Sequence, residues 1–328
     1  MSLVIGFDVS KKKLAQAVFD GKKYEITEID NTKTAITACI KRYKSQLESV
    51  IMVMEATGTY HLKLATMLYE AGFKVAVVNP LIIKRYSEMK MARVKTDFFD
   101  AKQIAKYGFD YCGELRLFTP SSEAQQQMIK ILRAMEDLEQ TTSQYRNRIE
   151  ALSQDPVTFE LVASCYKTVI NEIAEKMKKL NLALQQLMQE HYADNAKLLQ
   201  SIPGVGPKTS AVIIAFFGEF ENFETSRQVI SFCGTNPSPK ESGSSIKGRG
   251  KISKKGKKYL RKQLYMSTVS AAQHNNSCKE LYQRLTKNGH ENRQARVAVI
   301  NKLIRQIFAI MKSKKFYDEN YNPLCAQN

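Results

Sequence analysis

The 328-residue chain is poor in the residues that make soft-metal and disulfide chemistry. Its histidines are His61, His191, His274 and His290, and no two have metal-binding spacing. Cysteines stand at 39, 112, 165, 233, 278 and 325 with no CxxC pair. That excludes a recognisable zinc site or disulfide framework and makes reduced, mostly buried thiols the expectation. If a metal is used here, carboxylates must hold it. Long hydrophobic runs are missing too, so no membrane span is expected. The N-terminus passes straight into the strand-like Val4-Ile5-Gly6-Phe7-Asp8-Val9 without a signal peptide, which implies a cytosolic protein, or a nuclear one in a eukaryote. Acids are scarce: 32 Asp and Glu face 50 Lys and Arg, giving a net charge of +18. Such a balance favours a polyanionic partner, nucleic acid or an anionic membrane surface. The apolar content, 43%, supports ordinary cores, and the length suggests two domains.

The first domain is expected over residues 1–118. Three β-like runs (around 3–9, 14–19 and 23–27) precede a helix over about 33–44, capped from Asn31-Thr32. Strand-like Val50–Glu55 and Lys74–Pro80 alternate with helical stretches, so an α/β domain with a mixed sheet is predicted. Function collects where such strands end and helices begin. Asp8 and Glu55 occupy strand ends. Asp97 and Asp100 are three apart at a predicted helix start and share a face. Each acid alone also reads as a turn, cap or dipole-complementing residue. Together they form an oxygen-only set suited to a hard divalent cation in phosphoryl transfer, within a basic protein able to hold a polyanion.

Residues 119–195 predict a helical connector. Met128, Ile131, Leu132, Met135 and Leu138, then Ile170, Ile173, Met177, Leu180, Leu184, Leu187 and Met188, follow helical spacing. A helical hairpin or coiled coil satisfies both stripes, packed internally or against another copy. A mainly α domain is expected over 196–328. Ser201-Ile202-Pro203-Gly204-Val205-Gly206-Pro207-Lys208 has the form of a helix-hairpin-helix, whose next helix start and Lys208 suit a phosphate; a structural turn fits the same pattern. Ser231–Lys262 reads as a polar connector running into cations: Lys247, Arg249, Lys251, Lys254, Lys255, Lys257, Lys258 and Arg261 are the candidate nucleic-acid contacts. Within it, Ser242 is a candidate nucleophile or a plain loop residue. Nothing local decides which.

The segments Gly6–Ser10, Met54–Tyr60 and Lys95–Ala101 together resemble a family of bacterial insertion-sequence transposases, relatives of the Piv DNA invertase and of the bridge-RNA-guided recombinases. The resemblance covers essentially the whole chain. It implies a RuvC-like (RNase H-like) α/β N-terminal domain, a coiled-coil connector and a mainly α C-terminal transposase domain. It also implies that Asp8, Glu55, Asp97 and Asp100 are catalytic acids binding Mg²⁺ or Mn²⁺. Glu241-Ser242-Gly243-Ser244-Ser245 matches the family's serine context, so Ser242 is implied as the nucleophile of a covalent phosphoserine intermediate. Implied partners are donor and target DNA, a non-coding guide (bridge) RNA, and further copies of the chain as a homodimer assembling to a tetramer. The implied location is the bacterial cytoplasm, at the nucleoid. A metal-dependent Holliday-junction resolvase or structure-specific nuclease, with Ser242 idle, is the rival reading. A non-catalytic nucleic-acid-binding protein is a second. A membrane-surface role is disfavoured because the basic residues form no lipid-facing amphipathic helix.

Overall fold

The computed structural model describes residues 3–90, 96–155, 157, 160–242 and 246–320, with backbone only for 239–242 and 246–251. The chain divides into two compact units, Met1–Pro120 and Ser121–Asn328. The helical stretch expected as a separate connector therefore belongs to the second unit.

The first unit is a five-stranded mixed sheet in the order β3-β2-β1-β4-β5. Its strands are β1 (Leu3–Val9), β2 (Lys13–Phe19), β3 (Tyr24–Asp30), β4 (Val50–Glu55) and β5 (Lys74–Val78). β1, β2 and β3 pair antiparallel, whereas β4 joins β1 and β5 joins β4 in parallel. The chain order thus reverses between β1 and β4, which opens a crevice at their carboxyl ends. Helices α1 (Lys33–Tyr43) and α2 (Tyr60–Glu70) bury Ile36, Cys39, Leu64 and Leu68 against Ile5, Phe7, Met52 and Met54 on one face. The true cap of α1 is Thr32, whose side chain accepts from Ala35 N. α3 (Pro80–Met89) follows β5; Asn79 caps it and Pro80 opens it.

Helix α4 (Asp97–Asp110) covers the opposite face. Its seat is made of small residues: Ala15 and Ala17 of β2 meet Ala101 and Ala105. A Cβ on Gly6 would lie 2.3 Å from Ala105 N and 2.6 Å from Ala101 O. Only glycine lets backbone approach backbone this closely.

In the second unit, α5 (Glu123–Ser153) and α6 (Glu160–Gln200) form an antiparallel hairpin, since Tyr145 stacks on Tyr166 while Ser122 Oγ meets Tyr192 OH at 2.7 Å. The α5 cap is Ser122, with Gln125 completing the capping box. The predicted stripes are interior over the proximal half: Met128, Leu132, Met135, Leu184 and Met188 join the core with α7 (Pro207–Phe217) and α8 (Ser226–Cys233), and Ile173 is buried too. The core is closed by α9 (Lys258–His274), α10 (Asn276–Lys287) and α11 (Asn292–Ser313).

The expected polar connector is not a loop. Residues Pro237–Ser242 (β6) and Ile246–Ile252 (β7) pair as an antiparallel hairpin, with a register shift between Ser238 and Lys240. Pro239 falls inside that shift, where a strand tolerates a residue with no N–H to donate. Apolar alternation, the usual strand signal, is absent from Pro-Ser-Pro-Lys-Glu-Ser. Backbone pairing makes this ribbon, and its composition concealed it.

Candidate active site

Four carboxylates converge at the carboxyl edge of the first unit, and the register explains how. Phe7 pairs with Met54 across β1 and β4, so Asp8 and Glu55 are the next residues along two adjacent parallel strands and project to the same side. Asp8 shares the face of Val4 and Gly6, the face covered by α4. Ala101 and Ala105 lie over Gly6, whereas Gly108 lies against Val4 and Val53, so α4 runs antiparallel to β1. One strand pair advances about 6.6 Å, which a helix covers in about four and a half residues. From the turn above Gly6, that travel reaches the first turn of α4, where Asp97 and Asp100 stand. Thr96 caps the helix by accepting from Phe99 N at 3.2 Å, so Asp97 is the first helical residue and not the cap.

Electrostatics records the convergence. Burial, then the charges of Asp97, Asp100 and Glu55, push the Asp8 carboxyl up to about 6, against a lowering bond from the Val9 backbone. Among the described residues, no three His, Cys, Asp or Glu side chains close around a single point. The acids thus form a converging edge that repels itself, not a closed cage. This set fits a hard divalent cation: oxygen donors only, from three elements, with mutual repulsion that positive charge relieves.

Asn31 supports this edge and was legible only as a helix-start residue. Its buried amide donates to Ser10 O at 2.9 Å and to Tyr60 O at 3.5 Å. It ties the segment leaving β1 to the start of α2.

The remaining predicted residues lie in the second unit. Ser242 is the last residue of β6, opposite Ile246 at the hairpin tip. Ser244 and Ser245 are outside the described residues, as are Arg93 and Lys95 of the basic stretch that precedes α4 in the first unit. Lys247, Arg249 and Lys251 fall on β7. Lys254, Lys255, Lys257 and Lys258 are exposed between the hairpin and the first turn of α9. Lys254 has a left-handed backbone, φ 54°, and its N–H donates to Gly234 O at 3.0 Å.

Two predicted cations are engaged by the protein itself. Arg261, expected to meet phosphate, donates from one guanidinium nitrogen to Gly256 O at 2.7 Å and Cys233 O at 3.1 Å. It braces the hairpin root, where a Cβ on Gly256 would lie 2.1 Å from Phe232 O. Arg261→Ala is expected to cost about 2 kcal/mol in urea unfolding by stranding two partly buried carbonyls, while the salt dependence of nucleic-acid binding stays unchanged. Lys208, expected at a phosphate, is held by Glu139 at 2.6 Å. The turn before it is packed, with Ile202 and Val205 buried and Gly204 seated on Ala271.

Comparison with known proteins places this arrangement. A transposase profile of the DEDD type found in insertion element IS110 matches residues 5–154, and the "Transposase IS116/IS110/IS902 family" profile matches residues 196–283. The pilin gene-inverting protein of Moraxella bovis is 26% identical over 321 residues, covering 96% of this chain and 97% of its own. An uncharacterized insertion element IS110 protein of Streptomyces coelicolor is 20% identical, over 91% of this chain and 90% of its own. Among solved structures, Thermus thermophilus RuvC aligns over 35% of this chain and 99% of its own, with 15% identity and a TM-score of 0.27. With the acid edge inside the first matched span and the serine hairpin inside the second, the chain belongs to the IS116/IS110/IS902 family of transposases, enzymes that cut and rejoin DNA.

Proposed function

We propose that this transposase cuts and rejoins DNA with a two-part centre: Asp8, Glu55, Asp97 and Asp100 in the first unit and Ser242 in the second. The observation that carries the reading is the convergence of the four acids from β1, β4 and α4, recorded in the raised Asp8 carboxyl. The acids hold Mg²⁺ or Mn²⁺ in this reading, and the bound cation supplies charge neutralisation at the scissile phosphate. The Ser242 hydroxyl attacks phosphorus, forming a serine O–P bond as the P–O bond to the leaving deoxyribose oxygen breaks. The serine proton passes to a carboxylate of the acid edge, and the leaving oxygen takes up a proton. Rejoining reverses these steps, with a deoxyribose hydroxyl displacing the serine. Because the phosphoserine conserves the bond energy, no nucleotide is consumed.

The exposed lysines around the hairpin, Lys254, Lys255, Lys257 and Lys258, with Lys247, Arg249 and Lys251 of β7, hold the nucleic-acid backbone. By likeness to its family, the chain acts on donor and target DNA under a non-coding guide RNA. Its RuvC-like first unit and the α5–α6 hairpin serve homodimers that assemble to a tetramer, with composite centres. Val157 and Leu161, exposed at 78% and 64% at the hairpin's distal end, suit such a contact. Among the described residues no helix is long and apolar enough to cross a membrane. A cytoplasmic, nucleoid-associated protein fits that and the net charge of +18.

Ser242→Ala tests the chemistry. The expected outcome is no protein–DNA adduct on denaturing gels and no recombinant product, with duplex binding retained. Strand cleavage that persists without an adduct identifies a metal-dependent resolvase or nuclease instead. Sequencing RNA that co-purifies with the protein tests the guide: a reaction that proceeds without RNA removes it.

A further inference from the structure

A groove of about 1010 Å³ runs between α5, α6 and the first turns of α7 and α9, bordered by Glu136, Glu139, Arg146, Lys208, Lys258 and Lys262. A water occupies about 30 Å³, so this is room for an extended ligand. At its wall the Glu139 carboxylate spans two cations: Lys208 Nζ stands 2.6 Å from Oε1 and Lys262 Nζ 3.1 Å from Oε2. Burial raises the Glu139 carboxyl, but the two lysines outweigh it and hold it below the usual carboxylate range.

Both lysines come from the beginnings of helices, and neither helix has a side-chain cap. α7 starts from Gly206 and α9 from Lys257, so their first-turn N–H groups present positive poles. An independent observation points the same way. Tyr259, 7% exposed in the first turn of α9, has a hydroxyl with no hydrogen-bond partner among the described residues. Burial, then the charges of Glu139 and Glu136, push that phenol up to about 12, and both of these acids line the groove, as does its neighbour Lys258. A buried donor without an acceptor is costly unless a ligand supplies one.

We infer that this groove seats a phosphodiester backbone, and that Glu139 is a built-in substitute for phosphate which the nucleic acid displaces. The inference rests on the nucleic-acid reading above and extends it to α5. A carboxylate and a phosphodiester each carry one negative charge on two oxygens, so the exchange at Lys208 and Lys262 is close to charge-neutral. The phosphodiester adds acceptors for the Tyr259 hydroxyl and for the uncapped N–H groups. Glu139 thereby taxes loose binding: only a nucleic acid with further contacts elsewhere displaces it.

Fluorescence anisotropy with the full chain tests this, using a labelled duplex DNA of ~30 bp and a single-stranded RNA of like length over roughly 50–300 mM KCl. Glu139→Gln is expected to tighten binding about fivefold or more by freeing the two lysines. Lys208→Ala with Lys262→Ala is expected to weaken it about tenfold and to reduce the salt slope by about 1–2. Tyr259→Phe is expected to weaken binding severalfold while leaving the free protein as stable or more so, a pair of effects that a packing role does not produce. The probe that responds, DNA or RNA, identifies the source of the phosphodiester. Unchanged affinity in all three variants, with the unaltered protein still binding, makes the lysine–glutamate cluster a structural clamp and overturns the inference alone. An unaltered protein that binds neither probe overturns the proposed function with it. If Glu139→Gln does not fold, the lysine pair and Tyr259→Phe decide.

Discussion

Gly6→Ala is expected to destabilise the first unit by about 3 kcal/mol and to cut recombination by about 10²-fold beyond the loss of folded protein. The added Cβ meets backbone, 2.3 Å from Ala105 N and 2.6 Å from Ala101 O, so no side-chain rotation relieves it. α4 must rise off the sheet by about 1 Å to restore ordinary contact. That displacement forfeits packing over Ala15, Ala17, Ala101 and Ala105 and also carries Asp97 and Asp100 away from Asp8 and Glu55. Thermal denaturation is expected to show a fall of roughly 10 °C, and product assays at matched folded concentration isolate the catalytic part. Gly113→Ala is the control, since nothing lies within 4 Å of its added Cβ. Equal catalytic rates for the two variants would detach the seat of α4 from the acid edge.

Asp8→Asn is expected to move activity and stability in opposite directions. Recombination is expected to fall about 10³-fold, because in the proposed centre a charge is withdrawn from the group that organises the scissile phosphate. Stability in the presence of a chelator rises. An acid whose folded pKa is raised binds its proton more tightly in the folded state, so that state loses stability as pH climbs from the usual carboxylate value to about 6. Above that the full penalty applies; below the usual value there is none. Screened by solvent, the penalty is about 1–2 kcal/mol. Asparagine recovers it at pH 7.5 and gains nothing near pH 4, which urea unfolding at the two pH values measures. Stabilisation equal at both pH values would show that the acids do not strain one another.

Much of the first unit was legible in the sequence because its signals are local. Strand runs, capping residues and the acids at strand and helix ends lie within a few residues of one another, and the mixed sheet follows from their order. What lay beyond reading was distance. Gly6 stands out as a glycine inside an apolar strand, but its reason is α4, nearly a hundred residues on. Glu139 is one acid on a charged helix face until the fold brings Lys208 and Lys262 to it. Arg261 sits in a cationic run and looks free, although two carbonyls claim it. The hairpin of β6 and β7 hid for another reason: prolines, serines and glycines mask a ribbon that backbone pairing holds together.

That ribbon is also a lever. Its root is pinned by the Gly256 crossing, by Arg261, by Ser253 Oγ on Asn236 at 2.6 Å and by Thr235 Oγ1 on Asn301 at 2.7 Å. From Pro237 to Ser242 the strand extends about 17 Å, so a rotation of only ~10° at the root sweeps the tip through about 3 Å. If Ser242 is the nucleophile, as proposed, an arm of that length gears small motions of α8, α9 and α11 into the difference between an attacking serine and one out of range. Timing of strand exchange can then be set from α8 and α11, away from the lysines proposed to hold DNA, and adding or deleting a residue pair along the arm is expected to mistime the reaction without harming the fold.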